Sequence, residues 1–363
     1  MKSAEQTPST FLTGINYPWV HYGWDFGDPP LAWIGGQPLA EWRAQKRQQI
    51  ADDFREFARL GISAVRWFLL ADGLNYGIGD DAPQTDGSEW NFYPLPAHHP
   101  FHAQLGDDFA FVMKTCAELK LKLLPSLMDF HWCFPAAVAD QNTGVIKGGR
   151  SSVVTDPEQR AQFFENVLEP LLTISLRNPE TIYAWELINE PEWVTKRGGL
   201  RLFGRRNDEK QTVPHAAMIA FITEGIARIN AKKLPDGCAA FASTVGFATW
   251  KTISEWKAAD LGITLNQFHY YAQDNQALPE NDFSDELPCC VGEFATAAGM
   301  SWPELVNNRT DQTIASRLRA IADKGHQSTF LWSARATDQA TTWTEAEHQE
   351  IAGYLRPSPE GSA

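Results

Sequence analysis

A single closed (β/α)8 barrel is the fold the sequence predicts, on three observations. Eight short apolar segments alternate with longer amphipathic ones along the chain. No break in composition divides the 363 residues, a length that such barrels reach as one unit. No glycine-rich phosphate loop of the open-sheet kind is present. Gly35-Gly36-Gln37-Pro38 and Lys147-Gly148-Gly149-Arg150 lack both the glycine spacing and a strand leading into a helix. One catalytic domain is expected over residues 1–363, with the barrel proper at about 11–355.

The elements follow in order. Phe11 to Asn16 opens the barrel. Leu39 to Leu60 is helical, because Trp42, Ile50, Phe54 and Phe57 recur near helical spacing among charged residues, and Gly61 closes it. Ser63 to Phe68 is the second strand. Asp107 to Leu119 carries Phe109, Val112, Met113 and Cys116 on one stripe and leads into the third strand, Lys122 to Leu127. Asp156 is placed to cap a helix over Pro157 to Leu172, with proline at its first position. Ile182 to Leu187 is the fourth strand. His215 to Asn230 is a helix, Ala239 to Thr244 the fifth strand, Ser254 to Asp260 a short helix and Thr264 to Phe268 the sixth strand. Cys289 to Gly292 is the seventh strand. Thr310 to Lys324, with Ile314, Leu318 and Ile321 on one face, precedes the eighth, Thr329 to Trp332. The long irregular stretches 71–106, 133–155, 191–213 and 270–288 all follow strands, on the face where barrels build their sites.

Composition narrows the function. With 31 Lys and Arg against 45 Asp and Glu, the net charge is −14, which argues against a nucleic-acid or anionic-membrane partner. Eighteen consecutive apolar residues occur nowhere, so no membrane span is expected. The polar residues Met1 to Thr10 show no secretory signal. The chain is therefore expected to act in the cytoplasm, or outside it if a leader has been trimmed away. Five cysteines are too few for a disulfide framework and read as buried free thiols. The 14 Trp, 8 Tyr and 21 Phe suit either a large core or platforms for a flat, polyhydroxylated ligand.

Two carboxylates end strands on opposite sides of the barrel mouth. Glu190 lies in Trp185-Glu186-Leu187-Ile188-Asn189-Glu190-Pro191 after strand four, and Glu293 in Val291-Gly292-Glu293-Phe294 after strand seven. Two carboxyl groups flanking one bond are what glycosidic hydrolysis needs: one protonates the leaving oxygen, and the other attacks the anomeric carbon or activates water. A carboxylate at such a rim can also be merely salt-bridged.

With Arg66, His131-Trp132, Asn189-Glu190-Pro191, His269-Tyr270-Tyr271, Glu293 and Trp332 in strand-end order, the chain resembles the retaining glycoside hydrolases with (β/α)8 barrels. Within them it is most similar to glycoside hydrolase family 5, which contains endo-β-1,4-glucanases and endo-β-mannanases. The resemblance implies that Glu190 is the acid/base and Glu293 the nucleophile of a double displacement on β-linked gluco- or manno-configured oligo- or polysaccharide, with no cofactor and no metal. It also implies that Asn189 holds the sugar 2-hydroxyl and that Arg66 and Tyr271 orient Glu293. His131 and His269 would line the subsite, with Trp332 as its floor.

Each supporting residue has a structural alternative: Arg66 as a core ion pair with Glu186 or Glu293, His131 and His269 as satisfied rim histidines, Trp332 as core filling. Trp132, Trp193 and Trp250 are candidate platforms, and Tyr17, Trp19, Trp24 and Asp25 candidate contacts after strand one, each equally open to loop or core packing. The stretch 71–102 departs from the commoner endoglucanase pattern. It favours short oligosaccharides or exo-like action, with transglycosylation through the same intermediate as a further option. A non-catalytic carbohydrate-binding barrel is the alternative of another class. His98, His99 and His102 cluster without a carboxylate at ligand spacing, so a metal site is not expected there. A basic island (Lys196, Arg197, Arg201, Arg205, Arg206 and Lys210, against Asp208 and Glu209) is either a solvated loop or a contact for an anionic sugar substituent or a second subunit. The sequence leaves the oligomeric state open.

Overall fold

The structure is a computed structural model. It describes residues 11–18, 27, 34–70, 76, 103–140, 145–196, 209–271, 277–283, 286–297, 313–335, 341 and 344–356. Eight parallel strands form the barrel: β1 (Leu12–Tyr17), β2 (Ala64–Phe68), β3 (Lys122–Asp129), β4 (Trp185–Asn189), β5 (Ser243–Gly246), β6 (Asn266–Tyr270), β7 (Cys289–Ala295) and β8 (Ser328–Trp332). They pair in the order β6-β7-β8-β1-β2-β3-β4-β5. A parallel bridge between Phe247 and Phe268 closes the seam. There the Phe247 N–H donates to the Gln267 carbonyl at 3.3 Å and the His269 N–H to the Phe247 carbonyl at 2.9 Å.

Side chains alternate across each strand, and the two faces have different fates. Val65, Trp67, Leu123, Leu127, Leu187, Val291 and Leu331 join the large outer core with Phe54, Phe109, Phe163 and Phe221 of the helices. Ala64, Leu124, Ala184, Leu265, Cys290 and Phe330 form a small separate plug inside the barrel. Two residues further along the same strands come Arg66, Ser126, Glu186, Gln267, Gly292 and Trp332, so a polar layer lies on the apolar one. Glycine is required at two places in that layer. A Cβ on Gly246 would lie 2.7 Å from Glu186 Oε1, and one on Gly292 would lie 2.5 Å from Gln267 Nε2.

The helices pack outside: α1 (Leu39–Leu60), α2 (Ala103–Leu119), α3 (Pro157–Phe163), α4 (His215–Ala231), α5 (Trp250–Glu255), α6 (Ile314–Asp323) and α7 (Glu345–Leu355). α1 has its predicted bounds and ends on Gly61 at φ 93°, whose N–H bonds back to the helix. The Asp156 cap also holds, its side chain accepting from the Glu158 and Gln159 N–H groups. Beyond α3 the helix does not run regularly as predicted. It passes through a π turn at Phe164–Leu168 into a helical segment Glu169–Ser175. The extra residue lets the adjacent Phe163 and Phe164 both face Phe221, at 6.4 and 5.1 Å between ring centres.

Other boundaries move. β4 begins at Trp185, with Ile182 making only an isolated bridge to Leu123. β5 begins at Ser243, because Ala239 and Ala240 are exposed and pair with nothing in the barrel. The predicted helix Ser254 to Asp260 is divided: α5 ends at Glu255, Lys257 turns into the left-handed region at φ 50°, and a 3-10 turn covers Ala258–Leu261. No helix follows the sixth strand among the described residues, where the sequence placed the irregular stretch 270–288. Cys116, Cys133, Cys289 and Cys290 are buried as expected, but Cys238 is exposed. No described helix is long and apolar enough to cross a membrane. After β4, Thr195–Lys196 pairs in parallel with Val213–Pro214, which pins both ends of the basic stretch.

Candidate active site

Arg66, fully buried on β2, is the hub. Its Nε and Nη2 donate to the two oxygens of Glu186 at 2.6 Å each, and Nη2 also reaches Asn189 Oδ1 at 2.7 Å. Its Nη1 donates to Asn16 Oδ1 at 2.8 Å and to Glu293 Oε1 at 2.6 Å. One planar fork thus ties β1, β2, β4 and β7 together. Burial alone would favour neutral Arg66, yet Glu186 and Glu293 together hold its pKa above the ordinary value. Ser126 and Gln267 complete the shell of Glu186, donating at 2.9 and 2.7 Å. Asn189 donates to Asp129 Oδ2 at 2.8 Å, and Asp129 also binds the backbone N–H and the imidazole of His131.

The two carboxylates from strands four and seven face one another across this hub. One oxygen of Glu190, one of Glu293 and a ring nitrogen of His269 all lie within 4.8 Å of each other. His269 Nδ1 bonds Glu190 Oε1 at 2.7 Å and lies 3.4 Å from Glu293 Oε2. Tyr271 donates to Glu293 Oε2 at 2.5 Å, and Trp193 Nε1 to Glu190 Oε2 at 3.1 Å. Two backbone irregularities aim the pair. Glu190 sits in the left-handed region at φ 44°, its N–H held by the Gly246 carbonyl at 2.6 Å. Such a conformation costs about 1–2 kcal/mol in a non-glycine residue and turns the side chain off the strand line into the mouth. On β7 the register with β6 slips at Gly292, which brings Glu293 opposite His269.

Electrostatics separate the groups. Loss of solvent and the nearby Asp129 charge push Glu190 up to about 7. Burial also raises Glu293, against the downward pull of His269 and Arg66. Arg66 pulls the Glu293 carboxyl down, and desolvation outweighs it. Burial lowers His269 to about 4, so its ring is neutral at pH 7, and Nε2 is buried without a hydrogen-bond partner among the described residues. Tyr271 is pushed up by burial and by the Glu293 charge, so it stays a donor. Glu190, His269 and Glu293 also have the spacing to share a metal ion, although Arg66 already supplies a cation to Glu293.

The structure thus gathers Arg66, Asn189, Glu190, His269, Tyr271 and Glu293. His131 lies at the edge, stacked on Phe130 at 4.2 Å. Trp332, 8% exposed, ends β8 and meets Phe68 edge to face at 6.2 Å. Trp193, 53% exposed, stands at the rim beside Glu190.

Three candidates lie elsewhere. Tyr17 is fully buried on the helix side of β1, between Phe54 and Phe57, with its hydroxyl on Asp53 at 2.7 Å. Trp132 is buried against Phe163, and Trp250 packs partly buried on the outer core, so neither offers a face to the mouth. Trp19, Trp24, Asp25, His98, His99, His102 and residues 197–208 lie outside the described residues. The sequence reading missed Asn16, Ser126, Asp129, Glu192 and Gln267 as site residues. For Ser126 and Gln267 the signal was two-residue spacing from Leu124 and Leu265 of the inward apolar plug; Asn16, Asp129 and Glu192 carried no such signal.

No family model matches the chain, and no curated protein matches it. Solved structures do resemble it in fold. A β-mannanase from the blue mussel Mytilus edulis superposes with a TM-score of 0.62 at 15% identity, over 96% of this chain and 92% of that one. A β-1,4-D-mannanase from Cryptopygus antarcticus gives 0.61 at 15% identity, over 95% and 90%. A GH5_18 protein from Streptomyces cattleya in complex with Manβ1-4GlcNAc gives 0.56 at 11% identity, over 97% and 82%. At these identities the likeness is one of fold.

Proposed function

We propose that the protein is a retaining β-glycoside hydrolase acting on β-linked, manno-configured oligo- or polysaccharide. The observation that carries the reading is the facing pair Glu190 and Glu293, with oxygens within 4.8 Å. Oxygens this close favour the retaining arrangement, with carboxyl groups roughly 5–5.5 Å apart, over the inverting one at roughly 6.5–9.5 Å, which leaves room for water. The manno preference draws on the names of the fold neighbours, two β-mannanases and a complex with Manβ1-4GlcNAc. The gluco configuration is the alternative.

Glu293, ionised and held by Arg66 and Tyr271, attacks the anomeric carbon. As the glycosidic C–O bond breaks, Glu190 gives its proton to the leaving oxygen, and a covalent glycosyl-enzyme forms. A carboxyl with pKa near 7 is a good donor for this step at neutral pH. Ionised Glu190 then takes a proton from water, which attacks the same carbon and releases Glu293. Asn189, fixed between Arg66 and Asp129, is positioned to hold a sugar hydroxyl whose hydrogen bond strengthens in the transition state. An acceptor sugar in place of water would give transglycosylation through the same intermediate.

The test is a panel of defined β-manno- and β-gluco-oligosaccharides, with product length and anomer followed over time, with and without a chelator. The proposal expects cleavage of one series with retained anomer and no effect of chelation. Inverted product would reject the double displacement. Loss of activity on chelation, restored by a divalent ion, would make Glu190, His269 and Glu293 a metal centre instead.

A further inference from the structure

Beside Glu190, between the ends of β3, β4 and β5, lies a cleft of about 950 Å³. Its position gives it a role if the glycosidase reading holds, since Glu190 protonates the leaving oxygen and the departing sugar must then sit on the Glu190 side. Trp193, which lines the cleft, donates to Glu190 at 3.1 Å and so joins the two directly. Phe134 and Trp256 supply further ring surface, of the kind on which sugars stack.

The charge of this cleft runs against that of the whole chain. Three exposed lysines line it, Lys196, Lys210 and Lys251, in a protein of net charge −14. Lys196 and Lys251 have no ion pair among the described residues. The carboxylates in the lining are Glu192 and Glu255. Burial raises Glu192 to about 8, so at neutral pH it is mostly the uncharged acid and Glu255 alone opposes the three lysines. The backbone of Lys196 is fixed by strand pairing with Pro214.

We propose that this cleft is the leaving-group subsite and that it selects a sugar bearing an anionic substituent, a carboxylate, sulfate or phosphate. The proposal rests on the glycosidase reading and names its substrate class.

The experiment compares kcat/KM for β-mannosyl-(1→4)-glucuronic acid, β-mannosyl-(1→4)-glucose and the 6-O-sulfated form of the latter. The expected preference for the anionic sugars is about tenfold at low salt, from two or three exposed charge pairs, and it shrinks as salt rises. The uronate and sulfate arms show which anion is favoured. In Lys196→Ala/Lys251→Ala protein, with melting followed to show that it is folded, the ratio should fall toward one; in Lys196→Glu/Lys251→Glu it should invert. Equal or better use of the neutral sugar, or a ratio untouched by these substitutions, overturns the proposal. Turnover of 4-nitrophenyl β-mannoside tests the glycosidase reading separately. If it fails, calorimetry of the same disaccharides on Glu190→Gln protein still decides the subsite: tighter, lysine-dependent binding of the charged sugar supports it, and equal binding overturns it.

Discussion

Arg66 carries five hydrogen bonds to four acceptor residues, two of them carboxylates on opposite strands. A lysine at this position has a point charge in place of the fork and would leave buried acceptors unmatched. Arg66→Lys should therefore cost about 3–5 kcal/mol of stability, read by chemical denaturation, together with most activity. A loss below about 1 kcal/mol would show that the network is not what holds the four strands in register. pH dependence follows from the same residues. In the proposed mechanism the active form has Glu190 protonated and Glu293 ionised. Glu190 is raised to about 7, so kcat/KM should fall as pH rises through about 7. Glu293 is raised from its ordinary value, so the acidic limb should lie above the usual glutamate range. Tyr271→Phe removes a hydrogen bond that lowers the Glu293 pKa, and should move the acidic limb to higher pH. A profile flat from pH 6 to 9 would contradict this assignment of acid and base. Glu190, Glu293, Arg66 and His269 were legible in the sequence because each lies in or just after a recognisable strand. For Tyr17 the sequence left mouth contact and packing both open, and strand alternation sends it outward, to Asp53. Trp132 was left open for a related reason: aromatic content does not say which face of the wall a ring joins.

At the scale of the element, apolar runs marked the strands well and their ends poorly. β4 and β5 begin three to four residues later than hydrophobicity suggests, because Ile182 makes only an isolated bridge to Leu123 and Ala239 is exposed. The aiming of the two carboxylates was not legible at all. It depends on a left-handed residue at Glu190 and a slipped register at Gly292, backbone states that residue type does not announce. Gly246 is the sharpest test of this level. Its added Cβ would stand 2.7 Å from Glu186 Oε1, in the ion pair that anchors Arg66. Gly246→Ala should cost about 1–3 kcal/mol by overpacking, with a larger relative loss in kcat than in KM. A variant with unchanged melting and unchanged kcat would show that β5 does not brace the charge layer.

For the molecule as a whole, the eight-strand rhythm and the lack of a phosphate loop were enough to name the barrel. The charge layer that makes it a candidate enzyme needed three-dimensional closure, since Arg66 and Glu293 are 227 residues apart. Thiol access reports on that closure directly. Of the five cysteines, four are buried and Cys238 is exposed. A thiol reagent should label one cysteine in the native protein and all five after unfolding, and Cys238→Ser should abolish the native reaction. Rapid labelling of Cys116, Cys289 or Cys290 under native conditions would mean that the helical layer or the seam beside β7 opens.

The central claim is that Glu293 forms a bond to the sugar while Glu190 handles the proton. It is tested most directly by trapping. The protein is incubated with 2-deoxy-2-fluoro-β-D-mannosyl fluoride, whose fluorine slows release of the glycosyl-enzyme, and the labelled peptide is sequenced by mass spectrometry. The expected result is one adduct per chain, on Glu293, absent in Glu293→Gln; it still forms in Glu190→Gln, because fluoride leaves without a proton, and there it hydrolyses more slowly for want of the base. An adduct on another residue, or turnover of natural substrate that Glu293→Gln leaves intact, would contradict it.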